Sequence, residues 1–219
     1  MTEKLVVAID GPAGAGKSTI SKKIANALKL EYIDTGAMYR ALTLKVLEEG
    51  IDINDVDKIL DILAKTSITF NDNHIYLDGV RVDKEIRENR INLHVSNIAK
   101  IKEVRREMVK IQRKLSHVSN VIMDGRDIGT VVLPNANFKF FITASVEERA
   151  NRRYKELLSK GEKNVNYEQI LKEIKERDRI DSTREFAPLK KAKDAYEIDT
   201  TNMTICEVVD KIINIIEGR

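Results

Sequence analysis

The sequence contains a single cysteine, Cys206, in 219 residues. One thiol excludes an internal disulfide framework and a multi-cysteine metal site, and makes the cytoplasm the expected home. Long hydrophobic runs are also missing. Stretches such as Leu5–Ile9 and Phe140–Ile142 fall far short of the ~20 residues a membrane-crossing helix needs. The first apolar run leads straight into a glycine-rich segment with no small-residue cleavage site, so no secretory leader is expected. The net charge of +3 is too small to argue for nucleic acid. Aromatic residues make up only 5%, which leaves the basic clusters Lys110–Lys114 and Lys190–Lys193 without the interleaved stacking groups of a single-strand binder. Those clusters read as solvated faces. There is no internal repeat, low-complexity tract or proline-rich linker. The expectation is a monomer with no nucleic-acid partner and no membrane association.

What is present is an ordinary globular composition, 42% hydrophobic and 33% charged, enough for one good core in one or two domains. Leu5–Ile9 reads as a strand buried on both faces. A helix with Ile20, Ile24 and Leu28 on one face follows the glycine-rich loop. A short strand at Tyr32–Ile33 leads through Asp34-Thr35-Gly36 into a second helix ending near Glu49. The strand–loop–helix pattern recurs at Val121–Met123 and at Phe138–Thr143, the latter opening a helix through Ser145 and Glu148 at capping-box spacing. A last strand near Tyr196–Ile198 precedes a helix capped by Thr204 and Glu207. Ile205, Val208, Val209, Ile212, Ile213 and Ile216 form its apolar stripe, with Cys206 half-buried beside it. This alternation predicts an α/β fold with a parallel sheet.

One segment breaks the pattern. Ser67–Val82 consists of short β-rich runs divided by Asn71-Asp72-Asn73 and by Asp78-Gly79, which predicts an antiparallel meander. Residues 50–100 therefore read as a small insertion riding on the main sheet. Lys155–Pro188 is charge-rich and helical, with no strand of its own.

Gly11-Pro12-Ala13-Gly14-Ala15-Gly16-Lys17-Ser18 satisfies the phosphate-loop pattern G-x-x-x-x-G-K-[ST] in full, between a buried strand and a helix. Glycines let successive backbone N–H groups surround a polyphosphate, and the following helix aims its positive end at the same anion. With Thr19 these nine residues form the expected ATP site. Lys17 would reach the β- and γ-phosphates and Ser18 would ligate Mg²⁺. Asp124, following the strand Val121–Met123, stands where a Walker-B-like carboxylate would hold that ion directly or through water. A GTPase would need a guanine-reading Asn-Lys-x-Asp, which is absent, and the further motifs of a transport ATPase or helicase are absent too. A nucleotide kinase or small-molecule kinase remains.

Asp34-Thr-Gly-Ala-Met-Tyr-Arg40, Asp124-Gly-Arg-Asp-Ile-Gly-Thr130 and Arg177-Asp-Arg-Ile-Asp-Ser-Thr-Arg184 make the chain resemble the bacterial cytidylate kinase family over nearly its whole length. The resemblance implies a P-loop nucleoside monophosphate (NMP) kinase fold: a five-stranded parallel sheet flanked by helices, a β-rich NMP-binding insertion and a helical lid. Residues 1–49 and 101–219 would then be the core, 50–100 the insertion and about 150–188 the lid. The implied activity is transfer of the γ-phosphoryl group of ATP, as its Mg²⁺ complex, to CMP or dCMP. Arg40, Arg126 and Arg184 match the family's phosphate-binding arginines, and Arg126 and Arg184, with Lys17, are the implied catalytic groups. Arg177 and Asp181 match the pair at the ribose, while Ser96, Arg105 and Asp127 match the cytosine-reading groups. Thr35 joins the implied acceptor site. Taken without the motifs, Arg40 and Arg184 could be surface arginines, Asp127 a turn cap and Arg105 part of a solvated helical face. Arg149, Arg152 and Arg153 suit either an ATP clamp or an exposed i, i+4 salt-bridged face. His74, His94 and His117 are scattered and need no catalytic role. Two rivals stand beside this reading. One is a kinase of shikimate or a sugar acid, for which three extra arginines are excessive. The other is an RNA-associated P-loop switch.

Overall fold

The structure, a computed structural model, describes residues 4–71, 74–117 and 119–218. The expected turn residues Asp72 and Asn73 lie outside the described residues.

The run Val6–Asp10 forms the central strand β1. It pairs in parallel with β6 (Val121–Gly125) on one side and β7 (Phe138–Thr143) on the other. β2 (Glu31–Asp34) lies beyond β6 and β8 (Tyr196–Asp199) beyond β7, giving the order β2-β6-β1-β7-β8 with every pairing parallel. Because side chains alternate across a strand, Val7 and Ile9 face one layer and Ala8 the other. On the first side they meet Ile20 and Ile24 of α1 (Lys17–Leu28) and Val208 and Ile212 of α8 (Ile205–Glu217). On the second, Ala8 packs with Ile33, Met123 and Val109 of α5 (Lys102–Ser116). The parallel sheet and its flanking helices are those expected. β1 is the switch point, since the chain goes from it toward β2 and β6 and later returns at β7 on its other side. Ligands of such sheets sit at the carboxyl ends of the strands at that point.

Between α2 (Thr35–Glu48) and α5 the chain builds α3 (Val56–Ala64), an antiparallel sheet of β3 (Ile68–Asn71), β4 (His74–Leu77) and β5 (Val80–Arg81), a 3-10 turn (Glu85–Arg87) and α4 (Asn89–Ala99). Asp78 and Gly79 take φ of 50° and 82°, as a two-residue hairpin turn requires at both positions. The Asp78 carboxylate accepts from Ser67 N at 2.8 Å and pairs with Lys45 of α2 at 2.6 Å. The insertion has no separate core. Ile59, Ile75 and Val95 join Met38 and Leu42 of α2 and Met108 of α5 in one continuous cluster. It therefore rests on α2 and α5, and Phe70 of β3 also packs against the cluster on that face of the main sheet.

The charge-rich region is a helical pair, α6 (Val146–Ser159) and α7 (Tyr167–Thr183), closed over Ala150, Leu157, Ile170 and Ile174. At the start of α6 only half of the expected capping box forms. Ser145 Oγ accepts from Glu148 N at 3.2 Å, while the Glu148 carboxylate turns to Arg152 at 2.9 Å. At α8 both halves form between Thr204 and Glu207. Two expectations about α8 are corrected. Ile205 is 45% exposed and faces the cleft described below, and Cys206 is exposed rather than half-buried. Both lie in the first turn, where the helix starts ahead of its contact with the sheet. Among the described residues no helix is long and apolar enough to cross a membrane.

Candidate active site

A cleft of about 570 Å³ opens at the carboxyl ends of β1, β2 and β6. Its floor is the loop from Ala13 to Thr19; Gly11 and Pro12 stand behind that surface. At Gly11 the loop passes β7 so closely that a Cβ would lie 1.9 Å from the Ile142 carbonyl oxygen. The first turn of α1 has no acidic residue, so its positive end is left for an anion. Lys17 is only 5% exposed and its Nζ donates to Pro12 O at 2.8 Å. Burial, and then the neighbouring Arg126 guanidinium, hold its ammonium well below its ordinary pKa.

Asp124 anchors the opposite wall. Its Oδ2 accepts from Ser18 Oγ at 3.0 Å and its Oδ1 from Tyr32 Oη at 2.7 Å. Thr35 Oγ1 donates to the Asp124 carbonyl oxygen at 2.7 Å. Burial, reinforced by Asp34, pushes the Asp124 carboxyl up to about 6. One hydroxyl and one carboxylate at the end of a phosphate loop suit Mg²⁺, which keeps several waters and takes further oxygens from phosphate. Among the described residues no group of three or more His, Cys, Asp or Glu could hold a metal by itself.

Every remaining residue implied for the acceptor reaches the same cleft: Arg40 from α2, Ser96 from α4, Arg105 from α5, Arg126 and Asp127 after β6, and Arg177, Asp181 and Arg184 from α7 and its C-cap. Arg126 Nε donates to Asp181 Oδ2 at 2.8 Å, and Arg184 lies 3.6 Å from both Asp181 and Asp127. Burial, then Arg126 and Arg40, push the Arg177 guanidinium down to about 9. Arg40 is likewise lowered, first by burial. Burial works against the Asp181 carboxylate, but Arg126, Arg177 and Arg184 outweigh it and hold the group below its ordinary range. Cations whose charge is disfavoured by one another are a surplus that a bound phosphate relieves.

The least exposed of these residues is Arg105. It is 2% exposed, not part of a solvated face, and its guanidinium lies 5.2 Å from the Tyr39 ring centroid. Arg105 Nη1 donates to Ala99 O at 3.2 Å and Nη2 meets Asp127 Oδ1 at 2.5 Å. Asp127 Oδ2, Arg105 Nε and Arg184 Nη2 are buried without a hydrogen-bond partner in the protein. Unmet buried polar atoms are costly and rare, and here three of them belong to residues lining one cleft.

The three arginines of α6 separate into different places. Arg149 is buried beneath the phosphate loop, whereas Arg152 and Arg153 line the cleft. Arg152 is fixed by Glu148 and by Thr200, whose carbonyl oxygen accepts from Nη2 at 2.6 Å. None of the three histidines lines the cleft. Tyr39, Asp10, Asp178, Thr200 and Met203 are not singled out by the sequence patterns, and Ile205, expected in the apolar stripe of α8, joins Thr200 and Met203 in the cleft wall. Tyr39 and Asp178 fall inside motifs already quoted and Asp10 directly precedes Gly11, so position is their available signal. The Asp10 carboxylate accepts from Ile128 N and Gly129 N, each at 2.8 Å, and so pins the loop that carries Arg126 and Asp127.

Solved structures of a shikimate kinase from Bacteroides thetaiotaomicron (TM-score 0.50, 12% identity, 97% of this chain and 98% of that one) and a gluconokinase from Sinorhizobium meliloti 1021 (TM-score 0.50, 13% identity, 94% and 88%) share the fold. Sequence likeness is far closer elsewhere. The cytidylate kinase of Clostridioides difficile (strain 630) is 55% identical over 96% of this chain and 97% of its own length. That of Alkaliphilus oremlandii (strain OhILAs) is 56% identical over 99% of each. The family profile described as cytidylate kinase matches residues 7–218. The chain belongs to the cytidylate kinase family.

Proposed function

We propose that the protein transfers the γ-phosphoryl group of ATP to CMP, and to dCMP, giving ADP and the corresponding diphosphate. The observation that carries this reading is the Asp127 carboxylate. One oxygen is held by Arg105 at 2.5 Å, and the other is buried and free to accept. An ionised carboxylate only accepts hydrogen bonds, so it suits the N4 amino group of cytosine and opposes the O4 of uracil. Ser96 and Arg105 supply the remaining polar contacts to the base. Asp181 meets the ribose with Arg177.

ATP lies along Ala13–Thr19 with Lys17 leaving Pro12 O for the β- and γ-phosphates. When Mg²⁺ is bound it neutralises phosphate charge, and Ser18 and Asp124 would hold it. Arg40, Arg126 and Arg184 grip the CMP phosphate, and Thr35 borders it. Holding both phosphates in line, with cations ready for the developing charge, supplies most of the catalysis. The insertion at 50–100 and the helical region at about 150–188 cover the substrates and exclude water, which would otherwise take the phosphoryl group. The site draws on one chain and needs no group from a second copy, which supports a monomer, and ATP and CMP meet in the cytoplasm.

The test is an ADP-release assay with ATP–Mg²⁺ and a panel of nucleoside monophosphates. The expected result is turnover with CMP and dCMP well above UMP, AMP and GMP. Turnover with none of the cytidine nucleotides would overturn the reading.

A further inference from the structure

α7 has two polar edges that face different partners. Arg177, Asp181 and Arg184 lie at i, i+4 and i+7 and line the cleft on the acceptor side. Asp178, one residue round the helix, points instead to the phosphate loop. Its Oδ1 accepts from Ala13 N at 3.4 Å and its Oδ2 meets Arg149 Nη1 at 2.6 Å. The same Arg149 nitrogen donates to Ala13 O at 2.9 Å, and Arg149 Nε donates to Ala144 O at 3.0 Å. Ala13 is thus held on both sides of its backbone, N–H by Asp178 and C=O by Arg149. Arg149 is 3% exposed, so its charge is matched locally or not at all. The packing around this bridge is tight: a Cβ on Gly14, which has φ of 75°, would lie 3.2 Å from Arg149 Cβ.

We propose that Asp178 is a positioning residue for phosphoryl transfer, acting with Arg149 as a strut of fixed length between the donor loop and the helix that carries the acceptor-binding groups. The inference rests on the proposed transfer from ATP to CMP. In-line transfer tolerates little error in the separation of the two phosphates, since a displacement of about 1 Å can cost ~100-fold. β1 and its neighbours fix the loop from below, and the Arg126–Asp181 pair fixes α7 against the loop after β6. Asp178 supplies a hydrogen-bonded link from α7 directly to the phosphate loop.

Two variants separate position from charge. Asp178→Asn keeps the size and removes the charge that matches Arg149. Asp178→Glu keeps the charge and lengthens the strut by one methylene. The strut predicts that both lower kcat for CMP at least tenfold, with the Kd of CMP alone, measured by calorimetry, within about twofold of wild type. It also predicts that Arg149→Gln combined with Asp178→Asn loses no more kcat than the worse single variant, because the two side chains act as one unit. Wild-type kcat in Asp178→Glu would overturn the inference, as would a fall in kcat accompanied by an equal weakening of CMP binding. The two readings fail separately. If the wild-type protein does not phosphorylate CMP, the proposed function is wrong; if it does and the Asp178 variants match it, only the strut is wrong.

Discussion

The two halves of the cleft are built in opposite ways. The donor half is a contiguous stretch, Ala13–Thr19, running from the loop after β1 into the first turn of α1. Apart from the buried Lys17, its binding groups are backbone N–H donors and a helix end. The acceptor half is assembled from side chains on α2, α4, α5, the loop after β6 and α7, and it is crowded with charge. Arg105, Asp127, Asp181 and Arg184 are all buried, and three of their polar atoms have no hydrogen-bond partner in the protein. In the proposed function a generic anion is gripped by backbone, and a particular base and sugar are read by desolvated side chains. Discrimination is strongest where an incorrect ligand would leave buried polar groups unpaired.

The comparison breaks most visibly at Lys17. Lys17→Ala should leave the circular dichroism spectrum unchanged and reduce kcat by ~3–4 kcal/mol or more in barrier, several hundred-fold. A folded variant that keeps a tenth of wild-type kcat would show that the donor half does not depend on this charge. Next in size, Arg126→Ala and Arg184→Ala should each cost ~1.5–3 kcal/mol in kcat/KM for CMP, as lost hydrogen bonds between charged groups do. ATP affinity measured by calorimetry without CMP should stay close to wild type. Equal weakening of ATP would place these arginines on the donor half.

Asp10 tests whether the halves are mechanically joined. Burial raises its carboxyl from 3.8 to about 7 despite the bonds from Gly129 and Ile128. A folded-state pKa above the unfolded value means that the folded protein binds the extra proton. Asp10 therefore makes stability fall as pH rises between about 4 and 7, by up to ~1.4 kcal/mol per pH unit. In Asp10→Asn that contribution should vanish, so urea midpoints of variant and wild type should converge or cross as pH rises from 5 to 7. A constant difference between them would mean that Asp10 is ionised throughout. Smallest is the expected effect of Asp181→Ala on sugar choice. CMP should lose more kcat/KM than dCMP, by a few-fold, because only the ribose has a 2′-hydroxyl for the carboxylate. An unchanged CMP to dCMP ratio would leave Asp181 the task of orienting Arg126, to which it is bonded at 2.8 Å.

The same contrast governs which features are legible in the amino-acid sequence. The phosphate loop and the strands of the parallel sheet are local patterns, and β1, β6, β7 and β8 fall where alternation and apolar runs place them. The acceptor residues are legible only through three short motifs taken together, since nothing in the spacing of Ser96, Arg105 and Asp127 shows that they meet. The strut is not legible, because Ala13 and Asp178 are 165 residues apart and nothing in the sequence separates the buried Arg149 from the half-buried Arg152 and Arg153. Ile205 and Cys206 depart from expectation for a related reason. Helical periodicity identifies a stripe but does not tell where along the helix the sheet begins to cover it.

The most direct measurement of the central claim is the choice of base in Asp127→Asn. The surroundings of Asp127 add a demand to this test. It is paired with Arg105 and lies near Arg184, so the variant loses a buried charge and kcat/KM should fall for both CMP and UMP. A thermal melt establishes that the variant is folded at the assay temperature, and the ratio of the two substrates then carries the answer. Asn can accept from cytosine or, with its amide turned, donate to uracil. The UMP to CMP ratio of kcat/KM should therefore rise about tenfold, ~1.4 kcal/mol. Equal losses for both nucleotides, with the ratio unchanged, would contradict the account and leave Asp127 as a support for Arg105 rather than a reader of the base.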